Sequence, residues 1–319
     1  MPPQTPLDAT ALQDVAEQIT DRMAGLSNRG KVAQYIPELA TVDLNQFGIA
    51  IVPVGGDPLV AGDAEVPFSI QSVSKVFSLT LALQQLGVTL WQRVGREPSG
   101  DPFNSIVQLE CEKGIPRNPF INAGAIVVAD VLLGDGNQAD ALDRLLTLCR
   151  ALAGDDRIFI DEAVRASETA TGARNRALAY FMAAEGNLNG SIDDILSVYF
   201  GHCSIAMSCR QLAEAGRFLA SGGVCASQEE AVLSVQRTRR VTALMLTCGS
   251  YDASGDFAFR VGLPAKSGVG GGILGIVPGI ASVAAWCPGL DEKGNSVLAT
   301  LAFEELVRIT GWSLFGPRQ

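Results

Sequence analysis

The stretch FSIQSVSKVFSLTLALQQLG, residues 68–87, sets Ser72 and Lys75 three apart at the head of an apolar run, Val76, Phe77, Leu79, Leu81 and Leu83. Neither Pro nor Gly interrupts that run before Gly87, so the spacing predicts a buried helix that closes at a glycine stop. Residues i and i+3 share a helix face, which brings the hydroxyl within reach of the amine. A Ser hydroxyl becomes a nucleophile when a neighbour takes its proton, and a neutral Lys can serve as that base. Lowering a Lys pKa from about 10.4 to about 8 costs roughly 3 kcal/mol, which an apolar wall and a nearby cation can supply. The first helical turn adds free N–H groups and a positive dipole end where negative charge would develop. The chain has this one S-x-x-K, and its flanks are too apolar for a solvated face.

Working outward, residues 8–25 predict an amphipathic helix after Asp8, and 31–40 a loop holding Tyr35. Strand-like FGIAIVPV (47–54) and a second short strand near Leu59-Val60 flank the turn Gly55-Gly56-Asp57-Pro58. On the far side the pattern is helical, with expected helices at 122–134, 138–153, 161–170, 174–185, 192–200, 208–221 and 227–247. Strand signals return in FAFRVGLP (257–264) and in two glycine-rich runs joined near Pro278-Gly279, before a closing helix at 295–312. Strands at both ends around a helical middle imply an α+β fold with one antiparallel sheet built from both chain ends. The expectation is a single domain, 1–319, with a sheet subdomain at about 8–103 plus 248–312 and an inserted helical subdomain at about 104–247.

Apolar residues make up 47% of the 319, charged residues only 18%, which leaves little charge to coat a monomer and favours a homo-oligomer. A net charge of −10 argues against nucleic acid and anionic membrane as partners. Seven scattered cysteines, no C-x-x-C pair and one histidine, His202, make a zinc site unfavourable and fit reduced thiols in a cytoplasmic protein. The N-terminus carries Pro and acid where a signal peptide needs basic charge followed by an apolar core. Residues 267–290 are uncharged, but seven glycines and two prolines suit buried strands rather than a spanning helix.

Lys266, one of five lysines, opens Lys266-Ser267-Gly268, with glycines at 268, 270, 271 and 272 that let backbone N–H groups approach a ligand. One such N–H facing an adduct on Ser72 forms half of an oxyanion hole, worth roughly 3 kcal/mol. A phosphate loop would need GK[ST] or G-x-G-x-x-G before a helix, and neither occurs. S-x-x-K followed far downstream by K-[TS]-G is the signature of the penicillin-recognising serine enzymes, and it implies a β-lactamase/transpeptidase-like fold.

Five blocks in order, FSIQSVSKVF, RNPFINAGAI, SETATGARNRALA, YFGHCSI and CGSYDASGDFAFRVGLPAKSGVGGGI, resemble the bacterial and mitochondrial-type glutaminase family from about Tyr35 to Glu304. The resemblance implies Ser72 as nucleophile, Lys75 as its base, and Asn122, Glu168, Asn175, Tyr199 and Tyr251 as contacts to an amino acid, with Gln71 and Tyr35 as further contacts. The Val269 N–H would complete the oxyanion hole with that of Ser72, Lys266 would support the site, and Tyr199 would relay a proton to departing ammonia. For glutamine this is sound chemistry, since an α-ammonium seeks a carboxylate such as Glu168 and an α-carboxylate seeks amide and phenol donors.

On the residues alone, Asn122 serves equally as a helix cap, Glu168 and Asn175 as helix-end residues, Tyr199 as core, and Tyr251 as a packed loop aromatic. The Asn of the penicillin enzymes' S-D-N or Y-x-N triad is missing, because Phe200-Gly201 follows Tyr199, which tells against β-lactam hydrolysis. His202 receives no catalytic role. The implied activity is hydrolysis of L-glutamine to L-glutamate and ammonia through a serine acyl-enzyme, with no metal or organic cofactor, in a dimer or tetramer. The rivals are another serine amidohydrolase and a non-catalytic amino-acid-binding scaffold.

Overall fold

A computed structural model describes residues 8–99, 105–225 and 231–316. Its strands are β1 (Gly48–Pro53), β2 (Leu59–Gly62), β3 (Phe68–Ser69), β4 (Phe159–Ile160), β5 (Ile205–Met207), β6 (Ala265–Ser267), β7 (Gly272–Val277) and β8 (Ala281–Trp286). The helices are α1 (Ala9–Ala24), α2 (Lys75–Leu86), α3 (Ile106–Cys111), α4 (Asn122–Leu133), α5 (Gln138–Ala153), α6 (Glu162–Thr171) and α7 (Ala173–Ala184). They continue with α8 (Ile192–Cys203), α9 (Cys209–Ala220), α10 (Val235–Cys248), α11 (Ser254–Arg260) and α12 (Val297–Thr310).

The larger sheet runs β2-β1-β8-β7-β6, every pair antiparallel, so strands from the two chain ends meet where β1 lies along β8. Side chains alternate across it with a period of two. Ile49, Ile51, Ile273, Val283 and Ala285 pack on α1 and α12, through Val15, Ile19, Leu298 and Phe303. Ala50, Val52, Leu274, Ile276 and Trp286 face the other way, into the core of the helical part with Leu212 and Phe218 of α9. The fold is α+β, with antiparallel sheets and inserted helices. Residues 267–290 supply β7, β8 and the turn at Pro278-Gly279, as their composition implied.

Two features depart from the sequence reading. FAFRVGLP is not a strand: α11 covers its first half and β6 begins only after Pro264. Phe257 and Val261, four apart, are buried while Phe259 is 90% exposed, so the burial follows a helical turn and the apparent alternation is accidental. A second sheet, β3-β5-β4, joins distant segments through strands of two or three residues, too short to show any period. The expected 227–247 helix starts at Val235, and its residues 227–230 lie outside the described part, as does the subdomain boundary at 103–104. One helical stretch, Gln71–Gln92, is long and apolar enough by composition to cross a membrane, and 72% of that window is buried in the fold.

Candidate active site

Ser72 sits in a tight 3₁₀ turn, Gln71–Ser74, that feeds directly into α2. Several contacts fix this turn. Phe68 stacks on Trp286 at 4.9 Å, the Ile70 N–H donates to Ile205 O (2.9 Å), and Ser69 Oγ donates to Cys203 O (3.1 Å). Gln71 is held at φ 49, in the left-handed region that a non-glycine residue enters only under constraint. Ser74 Oγ donates to Gln71 O (2.6 Å) and lies 2.7 Å from His202 Nδ1. With the Ser74 proton so committed, the network assigns the ring proton to Nδ1. Burial, and then Lys75, push His202 down to about 3, so this fully buried ring is neutral and acts as a brace beneath the turn.

The glycine run explains itself through backbone approach. A Cβ at Gly268 would stand 2.4 Å from Ile70 O, and one at Gly270 would stand 2.0 Å from Ser69 O. The β6–β7 connection therefore presses against the serine turn itself, which carries Val269 to the same place. Tyr251 arrives from a third direction, with its backbone at φ 51. Burial and Tyr35 raise its phenol, while the Ser72 hydroxyl and the Val269 N–H beside it act in the opposite sense. The immediate side-chain neighbour of Ser72 is thus Tyr251, a placement the sequence reading did not contain.

Lys75 is 1% exposed. Burial lowers its amine to about 8, against the raising influence of Cys203 and Glu168. Its hydrogen bonds run to Phe120 O (3.1 Å) and Asn122 Oδ1 (2.8 Å) rather than to Ser72. A neutral amine has two N–H groups and one lone pair, and these two acceptors use both donors. Asn122 passes the link on, its Nδ2 donating to Asn175 Oδ1 (3.0 Å). It does not cap α4: the N-cap is Ile121, without a side-chain bond. Asn118, which sequence reasoning passed over, holds the preceding turn by accepting from Phe120 N (3.0 Å) and Ile121 N (3.1 Å).

Glu168, on α6, is 8% exposed, and burial raises its carboxyl, with Gln71 and Lys75 pulling it back. Tyr199, on α8, is buried with its ring centroid 6.0 Å from Lys75 Nζ and edge-on to His202 at 5.2 Å. Burial holds its phenol well above the usual range. Ser72, Asn122, Glu168, Asn175, Tyr199, Tyr251 and Val269 line one cavity of about 900 Å³, together with Gln71, Tyr35 and Cys203. Lys75 and Lys266 lie behind its wall. Cys203 is one of several lining residues missed in the sequence, with Arg174 and Lys31 among the others, and burial pushes its thiol up to about 12, so it contributes packing rather than a thiolate. A hydroxyl among phenols, a buried near-neutral amine and a buried carboxylate suit acyl transfer on a small zwitterion.

A family model for glutaminase matches residues 30–315. A glutaminase of Mesorhizobium japonicum is 59% identical over 97% of this chain and 98% of its own length. One of Methylobacterium radiotolerans is 59% identical over 96% and 99%. Among solved structures, the probable glutaminase YbaS superposes with a TM-score of 0.92 at 37% identity, covering 97% of this chain and 99% of that one. The glutamate form of Mglu superposes with a TM-score of 0.90 at 36% identity, covering 97% of this chain and 70% of that one.

Proposed function

This chain belongs to the glutaminase family and hydrolyses L-glutamine to L-glutamate and ammonia, and we propose that it does so through an acyl-enzyme on Ser72. In this reading the Ser72 oxygen attacks the side-chain amide carbon while its proton passes to the neutral Lys75 amine. With both Lys75 N–H groups held by Phe120 and Asn122, the lone pair is what remains to receive the proton. The tetrahedral oxyanion takes the N–H groups of Ser72 and Val269. Tyr199, a neutral phenol near Lys75, hands a proton to the departing nitrogen and is restored by the proton that Lys75 took from Ser72, so ammonia leaves and Lys75 is neutral again. Water then attacks the ester carbonyl as its proton passes to the neutral Lys75, which returns a proton to the Ser72 oxygen when the ester bond breaks and glutamate is released.

Glu168 receives the α-ammonium, while Asn122 and Asn175 hold the α-carboxylate. The observation that carries this reading is the Lys75 amine, buried, free of any carboxylate ion pair among the described residues, and lowered to about 8 behind the wall that bears Ser72. The test pairs activity with labelling. Ser72→Ala should abolish ammonia release and covalent capture of an electrophilic glutamine analogue, leaving the thermal melt unchanged; activity retained in that variant would end the proposal.

The finer assignments follow the same logic. A Ser-x-x-Lys turn facing a Lys-Ser-Gly strand supports a β-lactamase/transpeptidase-like fold, organised as one catalytic domain. Seven free cysteines, six of them buried, and a net charge of −10 support a cytoplasmic homo-oligomer that binds neither nucleic acid nor membrane.

A further inference from the structure

Lys266 takes no part in the proton path above, yet its side chain is as thoroughly enclosed as that of Lys75, with 0% exposure. No ion pair among the described residues accounts for it. Its amine donates to Gly249 O (2.9 Å) and Ser267 O (2.6 Å), and Nζ lies 4.6 Å from the centroid of the Tyr251 ring. Gly249 leads into the Ser250-Tyr251 turn, and Ser267 leads into Val269. One amine therefore joins the segment that bears the Tyr251 phenol to the segment that bears the Val269 N–H, and the phenol meets both that N–H and the Ser72 hydroxyl. Burial holds this amine well below the usual lysine range, and the two N–H groups that a neutral amine keeps are the ones that reach the two carbonyls, with Nζ left over the Tyr251 ring.

The tether has work to do. The left-handed backbone of Tyr251 (φ 51) is not a conformation the residue adopts unaided. A phenol displaced by about 1 Å from a reacting hydroxyl costs on the order of 100-fold in rate. Gly249 has no room for a side chain, since a Cβ there would stand 1.7 Å from Ala265 O, so the turn and β6 are pressed together at the point the amine grips. The backbones are joined by other means as well. Ser267 N donates to Gly249 O (3.0 Å), Ser267 Oγ to Asn295 Oδ1 (2.7 Å), and Asn295 Nδ2 to Ser250 O (3.4 Å). What the amine adds beyond these links is its contact with the ring.

We propose that Lys266 is a positioning residue for glutamine hydrolysis, holding the Tyr251 phenol against the Ser72 hydroxyl and the Val269 N–H; the inference rests on the Ser72 reading above. Lys266→Met should lower kcat about 100-fold with KM changed less than about threefold, because the loss is in alignment at the reacting centre and not in substrate recognition. Tyr251→Phe should cost a similar factor. In the double variant the losses should not multiply, leaving it within about threefold of Tyr251→Phe, since the two side chains act as one unit. A purely structural role for Lys266 would impose its full penalty in either background and lower the melting temperature in proportion. The proposal is overturned if Lys266→Met keeps kcat within about threefold of the parent, if the two losses multiply, or if Tyr251→Phe alone leaves kcat intact. Should the Met variant not fold, Lys266→Gln, which keeps amide N–H donors but no charge, carries the same cycle. Ser72→Ala separates the two levels: if it is inactive while Lys266→Met is fully active, only the inference about Lys266 fails, whereas an active Ser72→Ala removes the reading beneath it.

Discussion

At the scale of single residues, two buried ionisable groups dictate how activity should follow pH. Lys75 acts as a base only when neutral, and burial has lowered its amine to about 8. Its working form is therefore depleted below that pH, and kcat/KM should climb as pH rises through about 8, falling tenfold per unit on the acid side. A profile flat from pH 6 to pH 9 would exclude an amine as the base. Glu168 is shifted the other way, its carboxyl raised by burial. In the empty site its anionic form is lost at a higher pH than an exposed glutamate would require, so substrate affinity should weaken early on acidification. Glu168→Gln removes the anion at every pH and leaves an α-ammonium facing a neutral amide. That change should raise KM by one to two orders of magnitude, as about 1.5–3 kcal/mol for a hydrogen bond to a charged group implies. It should also abolish the early acid weakening. An unchanged KM in this variant would place the ammonium elsewhere.

At the scale of elements, the site is a junction of three segments, and backbone contact sets its tolerance. The β6–β7 connection touches the serine turn through Gly268 and Gly270, whose missing side chains are replaced by Ile70 O and Ser69 O. Gly270→Ala would drive a methyl carbon to 2.0 Å from Ser69 O, so the turn or the connection must shift. The expected cost is about 1–3 kcal/mol in denaturant unfolding, accompanied by a fall in kcat, because the moved parts carry Ser72 and the Val269 N–H. An alanine there with the parent's midpoint and rate would show that the contact is looser than described. Legibility in the sequence divides along the same line. Helix α5 was readable at 138–153 because its apolar residues recur at helical spacing over sixteen residues and end at Gly154. The two-residue strands β3 and β4 offered no period, and Phe257 with Phe259 imitated a strand although only one of them is buried. Within the site, the family's motifs named the residues that line the cavity. They did not convey that Asn122 reaches Lys75 across 47 residues, that His202 braces Ser74 across 128, or that Tyr251 stands beside Ser72. Those relations depend on tertiary packing, which local spacing does not encode.

At the scale of the whole molecule, the question is what covers a surface with so little charge. Only 18% of residues are charged, and the described surface leaves Phe259 at 90%, Val235 at 73%, Phe315 at 70% and Val88 at 62% exposure. Single exposed apolar side chains are ordinary, but bulky ones on several elements of a low-charge chain favour burial between copies. The acidic excess, 34 Asp and Glu against 24 Lys and Arg, works against this by self-repulsion, so the contact has to be apolar to persist. Association should therefore strengthen or hold as salt screens that repulsion, with Debye lengths falling from about 8 Å at 0.15 M to about 3 Å at 1 M. Light scattering should give two or four times the 33.5 kDa chain mass at micromolar concentration, unchanged or higher at the greater ionic strength. A single-chain mass at both strengths would show that the chain keeps these side chains in water. Dissociation on raising salt would assign the contact to ion pairs, which the sparse charge of this surface does not provide.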